Sequence, residues 1–385
     1  MTDGPAAAET VTGGAAVLIA AISGRALAES ARRGGYLPLV TDFFGDQDTL
    51  RAARAHMRLA GSLARGIEEG ALIDALRALG ARYQPVGVVC GTGFEDRPQL
   101  LERVAEHWRL YGNTATAVAR TKNPEMFSSL CADLAIPVPE ISLTTPQAPA
   151  DWLVKRMGGA GGAHILPASQ PNPDRRGASI YFQRKVAGAP TSALFLADGK
   201  RASVLGFSTQ WSSPTMTKPH RYGGAVRPAA LSPRIADALS AAVKKLAAAM
   251  SLVGLNSADF LVDGESFFLL EVNPRPGATL DLFEPPGGSL FALHMAACSG
   301  TLAAVPCSHE GAKAAAIVYA ERDIPTVPAI DWPDWSADRP LPGSAIRADE
   351  PICTVYACGA VAAEARTLVA ARHDLVLAWT RGRQK

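Results

Sequence analysis

The sequence predicts an α/β region, an α+β region and a C-terminal segment rich in β-strands. Apolar strands alternate with helical stretches over residues 15–112, which is typical of an open, parallel α/β layer. Short strands, one long helix and a hairpin follow over residues 113–300, which indicates an antiparallel sheet backed by helices. Strand-like runs and proline-rich loops fill residues 301–385. We therefore expect an N-terminal open α/β lobe, a central antiparallel-sheet domain and a β-rich C-terminal extension with these three boundaries.

The composition is that of a globular protein. Its 385 residues are 48% hydrophobic and 19% charged, and the length suits two or three domains. The net charge of +2 and the absence of a Lys/Arg run argue against nucleic acid or a membrane as a partner. The apolar run 15–22 is too short to span a bilayer, so we expect a cytoplasmic protein. The six cysteines include no Cys-x-x-Cys pair, which argues against a zinc ribbon or a thioredoxin-like site.

The first region is predicted to contain three parallel strands. Gly24 follows the first strand without the Gly-x-Gly-x-x-Gly fingerprint, so a dinucleotide-binding fold with Asp42 at the ribose is the less favoured alternative. The predicted strands are 16–20, 36–40 and 86–90, and the predicted helices are 24–33, 48–61 and 66–79.

The later regions are predicted to be mainly short strands. Asn123 as N-cap and Pro124 at the first helical position predict a helix that ends near Leu134. An Ala-rich stretch predicts a long helix over 232–250. The predicted strands are 152–155, 180–186, 192–197, 202–210, 315–320 and 352–356.

A hairpin around the turn 263–266 carries the strongest chemical signal. Side chains alternate along a strand, so Glu271 and Asn273 face the same side, and the hairpin length places Asp259 roughly opposite Glu271. Burying two carboxylates together is costly unless a cation neutralises them, and Mg²⁺ prefers carboxylate oxygens together with substrate phosphates. We therefore predict a site for Mg²⁺ or Mn²⁺ at these three residues. Unrelated acids at a solvated strand end are the alternative.

A glycine-rich loop follows the predicted strand that ends at Lys155. Such a loop can bend over phosphates and offer its backbone N–H groups. It is not a Walker loop, whose lysine follows the glycines, and it is not a Rossmann loop, because no helix follows. A flexible hairpin tip is the alternative. The glycines are Gly158, Gly159, Gly161 and Gly162.

A further loop offers candidate contacts for a substrate. Arg221, Tyr222 and Arg227 have the chemistry to hold a carboxylate or an aromatic ring, and a surface loop with incidental arginines is the alternative. The lone histidines His164 and His220 are weighed in the same way, since a single histidine in a loop is more often incidental.

Together, the Lys155 loop and the hairpin acids that run into 273–277 resemble the ATP-grasp superfamily over about residues 113–300. The first region resembles the α/β domain that precedes the ATP-grasp domain. The resemblance implies ATP and Mg²⁺ as cofactors and small-molecule carboxylate and amine substrates. ATP would activate the carboxylate as an acyl phosphate, which the amine then attacks.

The resemblance implies a nucleotide-binding role for each matching residue. Two lysines match those that contact the nucleotide phosphates. The segment 183–186 resembles the hinge that hydrogen-bonds adenine, although the family often has Glu where this chain has Gln183. The implied contacts are Lys122, Lys155, Gly158, Gly159, Gly161, Gly162, Gln183, Lys185 and Val186.

The reactive end of the site is implied in the same way. Asp259, Glu271 and Asn273 match the family's metal ligands, and Arg275 matches the arginine near the transferred phosphoryl group. Arg275 and Lys155 are therefore the candidate catalytic residues. Phosphoryl transfer needs alignment and neutralised charge more than covalent help from the protein, and a closing glycine loop would protect the acyl phosphate from water.

Further segments resemble the branch that includes archaeal tyramine–L-glutamate ligase of methanofuran biosynthesis. That branch implies glutamate as the acid and tyramine or tyrosine as the amine, in a pathway to a methanofuran-like C1 carrier. A biotin-carboxylase-like enzyme, a peptide-forming ligase, a polyglutamate-adding ligase and a nucleotide-binding regulator are the alternatives. The oligomeric state stays open, with a homodimer as one candidate. The segments are 89–95, 110–114, 342–346 and 351–355.

Overall fold

The computed structural model describes residues 14–170, 179–303 and 310–382. Residues 304–309 of the expected C-terminal extension, including Cys307, lie outside this part of the chain.

A parallel four-stranded sheet with the order β3-β2-β1-β6 forms the N-terminal lobe. Its strands are β1 (Ala16–Ala20), β2 (Leu37–Asp42), β3 (Ala55–Arg58) and β6 (Val88–Cys90). The helices are α1 (Arg25–Arg33), α2 (Gln47–Ala52), α3 (Glu69–Tyr83) and α4 (Gln99–Ala105), and a small hairpin is formed by β4 (Gly61–Ser62) and β5 (Gly66–Ile67).

The predicted helix over 48–61 is wrong beyond Ala52. The chain becomes extended at Ala53, and β3 then pairs in parallel with β2. His56 on this strand lies 2.9 Å from Asp42 through its Nε2 atom. The helix propensity of an Ala/Arg-rich stretch is a weak preference, which pairing with a buried strand overrides.

The Asp42 carboxylate accepts hydrogen bonds from the backbone of two loops. It is fully buried; its Oδ2 accepts a hydrogen bond from Gly24 N at 2.8 Å and its Oδ1 accepts one from Gly45 N at 2.9 Å. Both carboxylate oxygens therefore fix the loops after β1 and β2, which does not favour the ribose-binding alternative.

A small antiparallel sheet with the order β7-β10-β8-β9 lies beside helices α5 and α6. Asn123 caps α6 as predicted, because its side chain accepts a hydrogen bond from Met126 N. The bounds are α5 (Ala115–Lys122), α6 (Pro124–Asp133), β7 (Ile141–Ser142), a 3₁₀ turn (Pro149–Asp151), β8 (Trp152–Arg156), β9 (Leu166–Pro167) and β10 (Ile180–Arg184).

The large sheet has eight strands in the order β15-β14-β11-β12-β13-β16-β18-β17, and all its neighbouring strands are antiparallel. Its strands are β11 (Ala189–Asp198), β12 (Ala202–Ser212), β13 (Tyr222–Arg227), β14 (Val253–Asp263), β15 (Ser266–Asn273), β16 (Ala312–Tyr319), β17 (Ser336–Ala337) and β18 (Pro351–Gly359). The helices around it are α7 (Pro233–Ala249), α8 (Leu280–Phe283), α9 (Leu290–Cys298) and α10 (Ala362–Gly382).

Helix α7 backs the part of the sheet that carries the candidate site. Ser232 caps it by accepting a hydrogen bond from Ile235 N. Its buried residues Ile235, Leu239, Val243 and Leu246 recur at helical spacing and join the core under β11, β12 and β14. This packing makes the site-bearing hairpin part of a rigid layer.

The C-terminal residues extend the same large sheet. β16 pairs with β13, and β18 pairs with β16 on its other side. Helix α10, which the sequence analysis did not foresee, then packs across β16 and β18 through Ala365, Val369 and Val376. The predicted fold class, with α/β and α+β parts and β-strands near the C-terminus, is confirmed. Within the described ranges, none of the helices has the length and apolarity needed to cross a bilayer.

Candidate nucleotide and metal site

A cleft with about 580 Å³ of empty space lies between the small sheet, α5, α6 and the end of β15. The cleft is lined by apolar side chains, among them Phe127, Val138 and Leu270, and by polar residues. These polar residues include Lys122, Lys155, His164, Gln183 and Glu271.

Two oxygen-bearing side chains of β15 converge on one cationic group. Asp259 pairs with Glu271 across β14 and β15, as the hairpin length predicts. Lys122 Nζ lies 3.1 Å from Glu271 Oε2 and 3.0 Å from Asn273 Oδ1. The two oxygens thus already share one positive charge in this structure.

Asp259 acts on this arrangement through Asn273. Asn273 Nδ2 donates to Asp259 Oδ2 at 2.9 Å, which turns the amide oxygen toward Lys122. Gln210 Nε2 contacts the other oxygen of Asp259 at 3.3 Å. Burial, together with the nearby Glu271 carboxylate, raises the pKa of Asp259 to about 6.

The lysines hold Glu271 in its charged form. Burial alone would raise its pKa, but Lys122 and Lys155 outweigh burial and lower the pKa of Glu271 to about 2. Lys155 is itself buried, and this burial lowers its pKa below the ordinary lysine value. Lys122 and Lys155 therefore offset the charges of the two neighbouring carboxylates, Glu271 and Asp259.

The donor set fits a hard divalent cation. Glu271 Oε2 and Asn273 Oδ1 are oxygens that already face one cation, and Mg²⁺ takes one or two carboxylates together with substrate phosphates. In the described residues, no group of three His, Cys, Asp or Glu side chains is placed to hold a metal ion. A metal here would therefore depend on phosphate oxygens as well as on these side chains.

The glycine loop lies over the cleft and contacts two other parts of the protein. Gly158 has φ +69°, and a Cβ atom there would lie 2.5 Å from both Glu95 O and Asp96 Cα in the N-terminal lobe. Farther along the loop, Gly161 O accepts a hydrogen bond from Tyr222 N at 2.9 Å, at the start of β13. The loop thus bridges the N-terminal lobe and the large sheet.

His164 lies in the cleft lining rather than on an exposed loop. Its ring packs on Gly159, where a Cβ atom would lie 2.4 Å from the ring. Among the described residues its Nδ1 atom is buried without a hydrogen-bond partner, and burial lowers its pKa to about 4. A buried nitrogen without a partner is costly, which favours a ligand atom at this position.

Arg275 contacts Glu95, for which the sequence predicted no role in the site. Its Nε donates to Glu95 Oε1 at 2.7 Å, and Glu95 is only 3% exposed. Glu95 lies in the turn after β6, where the carboxyl ends of the parallel strands meet. An acid in the glycine-containing turn at the carboxyl end of a parallel strand is the sequence signal that would have identified it.

The predicted adenine hinge connects the small sheet to the large sheet. Gln183 is buried and lines the cleft. β10 ends at Arg184, two residues before the predicted end at Val186. Lys185 is exposed, and its Nζ donates to Ala150 O at 2.7 Å. Lys185 and Val186 therefore lie on the connection to β11.

The guanidinium groups of the two candidate substrate arginines are engaged by the protein. Arg221 Nη1 lies 3.1 Å from Asp349 Oδ1, and its guanidinium stacks 3.8 Å from the centre of the Tyr319 ring. Arg227 donates from Nε to Leu282 O and from Nη1 to Gly311 O at 3.3 Å. Tyr222 has a raised pKa because of burial and the nearby Asp259 carboxylate. A substrate role for these three residues stays a prediction.

Residues 125–279 match the family model described as ATP-grasp domain. The chain has an ATP-grasp fold. A Campylobacter jejuni biotin carboxylase in a β,γ-ATP complex is similar to it, with a TM-score of 0.71, 16% identity and coverage of 92% of this chain and 89% of that chain. A Hydrogenobacter thermophilus 2-oxoglutarate carboxylase biotin carboxylase domain, with MgADP, ADP and bicarbonate, has a TM-score of 0.70 at 13% identity and covers 90% and 86%.

The same fold extends to an ADP complex of N5-carboxyaminoimidazole ribonucleotide synthetase. That structure has a TM-score of 0.68 at 15% identity and covers 94% of this chain and 97% of that chain. The comparison with curated proteins gave no significant match. Because these likenesses cover nearly the whole chain, the N-terminal lobe and the strands β16–β18 belong to the shared architecture as well.

Proposed function

We propose that the protein is an ATP-dependent ligase that phosphorylates a carboxylate and joins it to an amine. The observation that carries this proposal is the meeting of Lys122, Glu271 and Asn273 in a cleft beneath a glycine loop. The ATP-grasp fold supports it, and the structural neighbours bind ATP or ADP.

In this proposal the cleft orients the nucleotide by polarity. Adenine lies near Gln183 and the apolar residues of the lining, and the phosphates lie near Lys122 and Lys155. The unpartnered Nδ1 of His164 is available to a phosphate oxygen. Glu271 and Asn273 would hold Mg²⁺, with Asp259 orienting the amide. Bound there, Mg²⁺ supplies charge neutralisation for the phosphates.

The remaining side chains stabilise the developing charge and exclude water. Lys155 and Arg275 supply positive charge near the transferred phosphoryl group, which is the main requirement of phosphoryl transfer. The glycine loop closes the cleft over the reacting groups, since an acyl phosphate would otherwise be hydrolysed.

The resemblance to the tyramine–glutamate ligase branch supports glutamate as the acid and tyramine or tyrosine as the amine, in a methanofuran-like pathway. A second candidate is carboxylation chemistry with bicarbonate as the acid. The similarity to biotin carboxylases over 90–92% of this chain favours it. Peptide-forming and polyglutamate-adding ligases would use the same first step with another amine.

The test is to incubate the protein with ATP, Mg²⁺ and either glutamate or bicarbonate, each with tyramine, tyrosine, glutamate or biotin. We expect ADP and phosphate to form only when an acid is present, and mass spectrometry to detect an amide equal to acid plus amine minus water. Lys155→Met is the control and should abolish both signals. Bicarbonate-dependent ADP formation with an N-carboxylated amine or biotin as the product, and no glutamyl amide, would favour the carboxylase alternative. Nucleotide binding without any acid-dependent turnover would indicate a regulator and contradict the ligase proposal.

A further inference from the structure

Among the described residues, the guanidinium of Arg275 is held closely only along its Nε edge. Nε donates to Glu95 Oε1 at 2.7 Å, and the side chains are 14% and 3% exposed. Nη1 makes one long contact, 3.5 Å, to Pro276 O of its own turn. Among the described residues, Nη2 donates to no protein acceptor. The two terminal nitrogens are thus left to an external oxyanion.

Glu95 is itself fixed by the backbone. Its Oε2 accepts hydrogen bonds from Gly93 N at 2.8 Å and Phe94 N at 3.0 Å, in the turn after β6. Burial alone would raise the pKa of Glu95, but Arg275, Lys122 and the Gly93 amide together hold it below the ordinary value. Glu95 therefore remains ionised and rigid, with its second oxygen free for Arg275.

Gly277 lies next to the Arg275 guanidinium and leaves space for it. A Cβ atom at this position would lie 2.4 Å from Arg275 Nη1. The absence of a side chain at Gly277 is therefore what allows the guanidinium to lie over the turn. Because the colliding atom is the end of a flexible side chain, a methyl group here would displace Arg275 rather than break the fold.

We propose that Glu95 is a positioning residue, which holds the Nε edge of Arg275 so that the terminal nitrogens face the oxyanion formed during phosphoryl transfer. The proposal rests on the proposed function for the site of that oxyanion. Glu95 belongs to the N-terminal lobe, and its backbone also contacts Gly158 of the glycine loop. The N-terminal lobe thereby sets the geometry of a residue in the turn after β15.

The experiment compares three variants. Glu95→Gln removes the charge while keeping the shape, and Gly277→Ala pushes the guanidinium away. Glu284→Gln is the matched control, because Glu284 is another carboxylate that joins the N-terminal lobe to the rest of the chain, through Ser30 and Arg33. The probe is orthovanadate in the presence of Mg·ADP, which mimics the transferred phosphoryl group. A second readout is the ¹⁵N–¹H signal of the Arg275 side-chain Nε, assigned by its loss in Arg275→Lys.

We expect Glu95→Gln and Gly277→Ala to weaken vanadate binding at least tenfold, with the Kd of Mg·ADP alone changed less than twofold. The Nε signal should shift and exchange faster with water in Glu95→Gln, and Glu284→Gln should behave like wild type. Wild-type vanadate affinity with an unchanged Nε signal in Glu95→Gln would overturn the proposal.

The two proposals fail in different ways. If wild-type protein binds no Mg·ADP, the proposed function is overturned, and the Nε signal alone decides the positioning contact. If Glu95→Gln does not fold, Gly277→Ala decides: wild-type vanadate affinity in that variant would overturn the positioning role, and a tenfold loss would support it.

Discussion

Lys122 connects Glu271 and Asn273 of the hairpin with the candidate nucleotide cleft. Its Nζ contacts both Glu271 and Asn273, and its side chain is 7% exposed. With a nucleotide and a metal ion bound, the Lys122 ammonium would turn to the phosphates. Glu271 Oε2 and Asn273 Oδ1 would then hold the metal ion. The same three groups can therefore serve a nucleotide-free and a nucleotide-bound protein without an uncompensated buried charge.

Replacing Glu271 with Gln is expected to lower acid-dependent ADP formation by on the order of a hundredfold, as loss of a charge-stabilising group does. The fold should survive, because Lys122 keeps its contact with Asn273 Oδ1. Turnover is measured over a Mg²⁺ titration. Glu265→Gln is the control, since Glu265 is an exposed acid in the turn of the same hairpin. Unchanged turnover with unchanged Mg²⁺ dependence would rule out a metal-binding role for Glu271.

The contacts between individual residues that the sequence predicts are those between residues close to each other along the chain. The pairing of Asp259 with Glu271 follows from strand alternation and the length of one turn. Glu95 was not identified, because its partner Arg275 lies 180 residues away and no spacing rule connects them. The role of His164 could not be predicted for the same reason, since only the folded loop brings its ring near Lys122, Lys155 and Glu271.

At the scale of elements, the glycine loop is defined by the surfaces that it touches. Gly158 and Gly161 have the same φ of +69°, yet only Gly158 is crowded: a Cβ atom there would meet Glu95 and Asp96, whereas nothing lies within 4 Å of one at Gly161. Substitutions at Gly158 and Gly161 therefore carry the same backbone strain, and only the substitution at Gly158 also interferes with the packing of the loop on the N-terminal lobe.

Gly158→Ala is expected to reduce ligation much more than Gly161→Ala. Both variants carry the left-handed backbone penalty, about 1 kcal/mol for a non-glycine residue, which corresponds to roughly fivefold in closure. Gly158→Ala adds a collision with the N-terminal lobe and should lower ligation at least tenfold further. Amide product, released phosphate and ATP affinity are measured in parallel. Equal losses in the two variants, or a loss confined to ATP affinity, would contradict a role for closure against the N-terminal lobe.

The local sequence pattern predicted most of the helices and strands. It failed where strand pairing, or the length of a segment, decides the secondary structure. The cap at Asn123 and the hairpin turn at 263–266 follow from local chemistry. The strand at Ala55–Arg58 has a helix-forming composition, and only its place beside β2 makes it a strand. Helix α10 is rich in Ala, Arg and Leu, which have strong helix propensity, so the sequence does carry a signal for this helix.

At the scale of the molecule, the lobes are joined by buried hydrogen bonds as well as by apolar packing. Asn113, at the predicted boundary between the first two regions, donates to Asn256 Oδ1 at 2.7 Å and to Pro274 O at 3.0 Å. It thus connects the N-terminal lobe to β14 and to the turn that carries Arg275. Neither contact could be predicted from sequence, because each crosses more than a hundred residues.

His294 on α9 joins the same regions and makes the assembly sensitive to acid. Its Nδ1 accepts a hydrogen bond from Leu255 N at 2.9 Å, and its Nε2 lies 3.0 Å from Tyr111 O. Burial lowers its pKa to about 4, so the ring stays neutral in the folded protein well below the ordinary histidine range. An unfolded chain protonates this histidine near pH 6.5.

The sign of the effect follows from proton uptake. Above about pH 6.5 neither state binds the proton, and between about pH 6.5 and 4 only the unfolded state does, so the free energy of unfolding falls as the pH is lowered. His294 should account for roughly 2–3 kcal/mol of this loss by about pH 4.5. His294→Gln keeps one acceptor and one donor but does not titrate, so its stability should decline less steeply. Urea unfolding of wild type, His294→Gln and the exposed-histidine control His107→Gln, measured from pH 7 to 4.5, tests this. If the curves of wild type and His294→Gln stay parallel over that range, His294 is not the group that makes the junction between the lobes sensitive to acid.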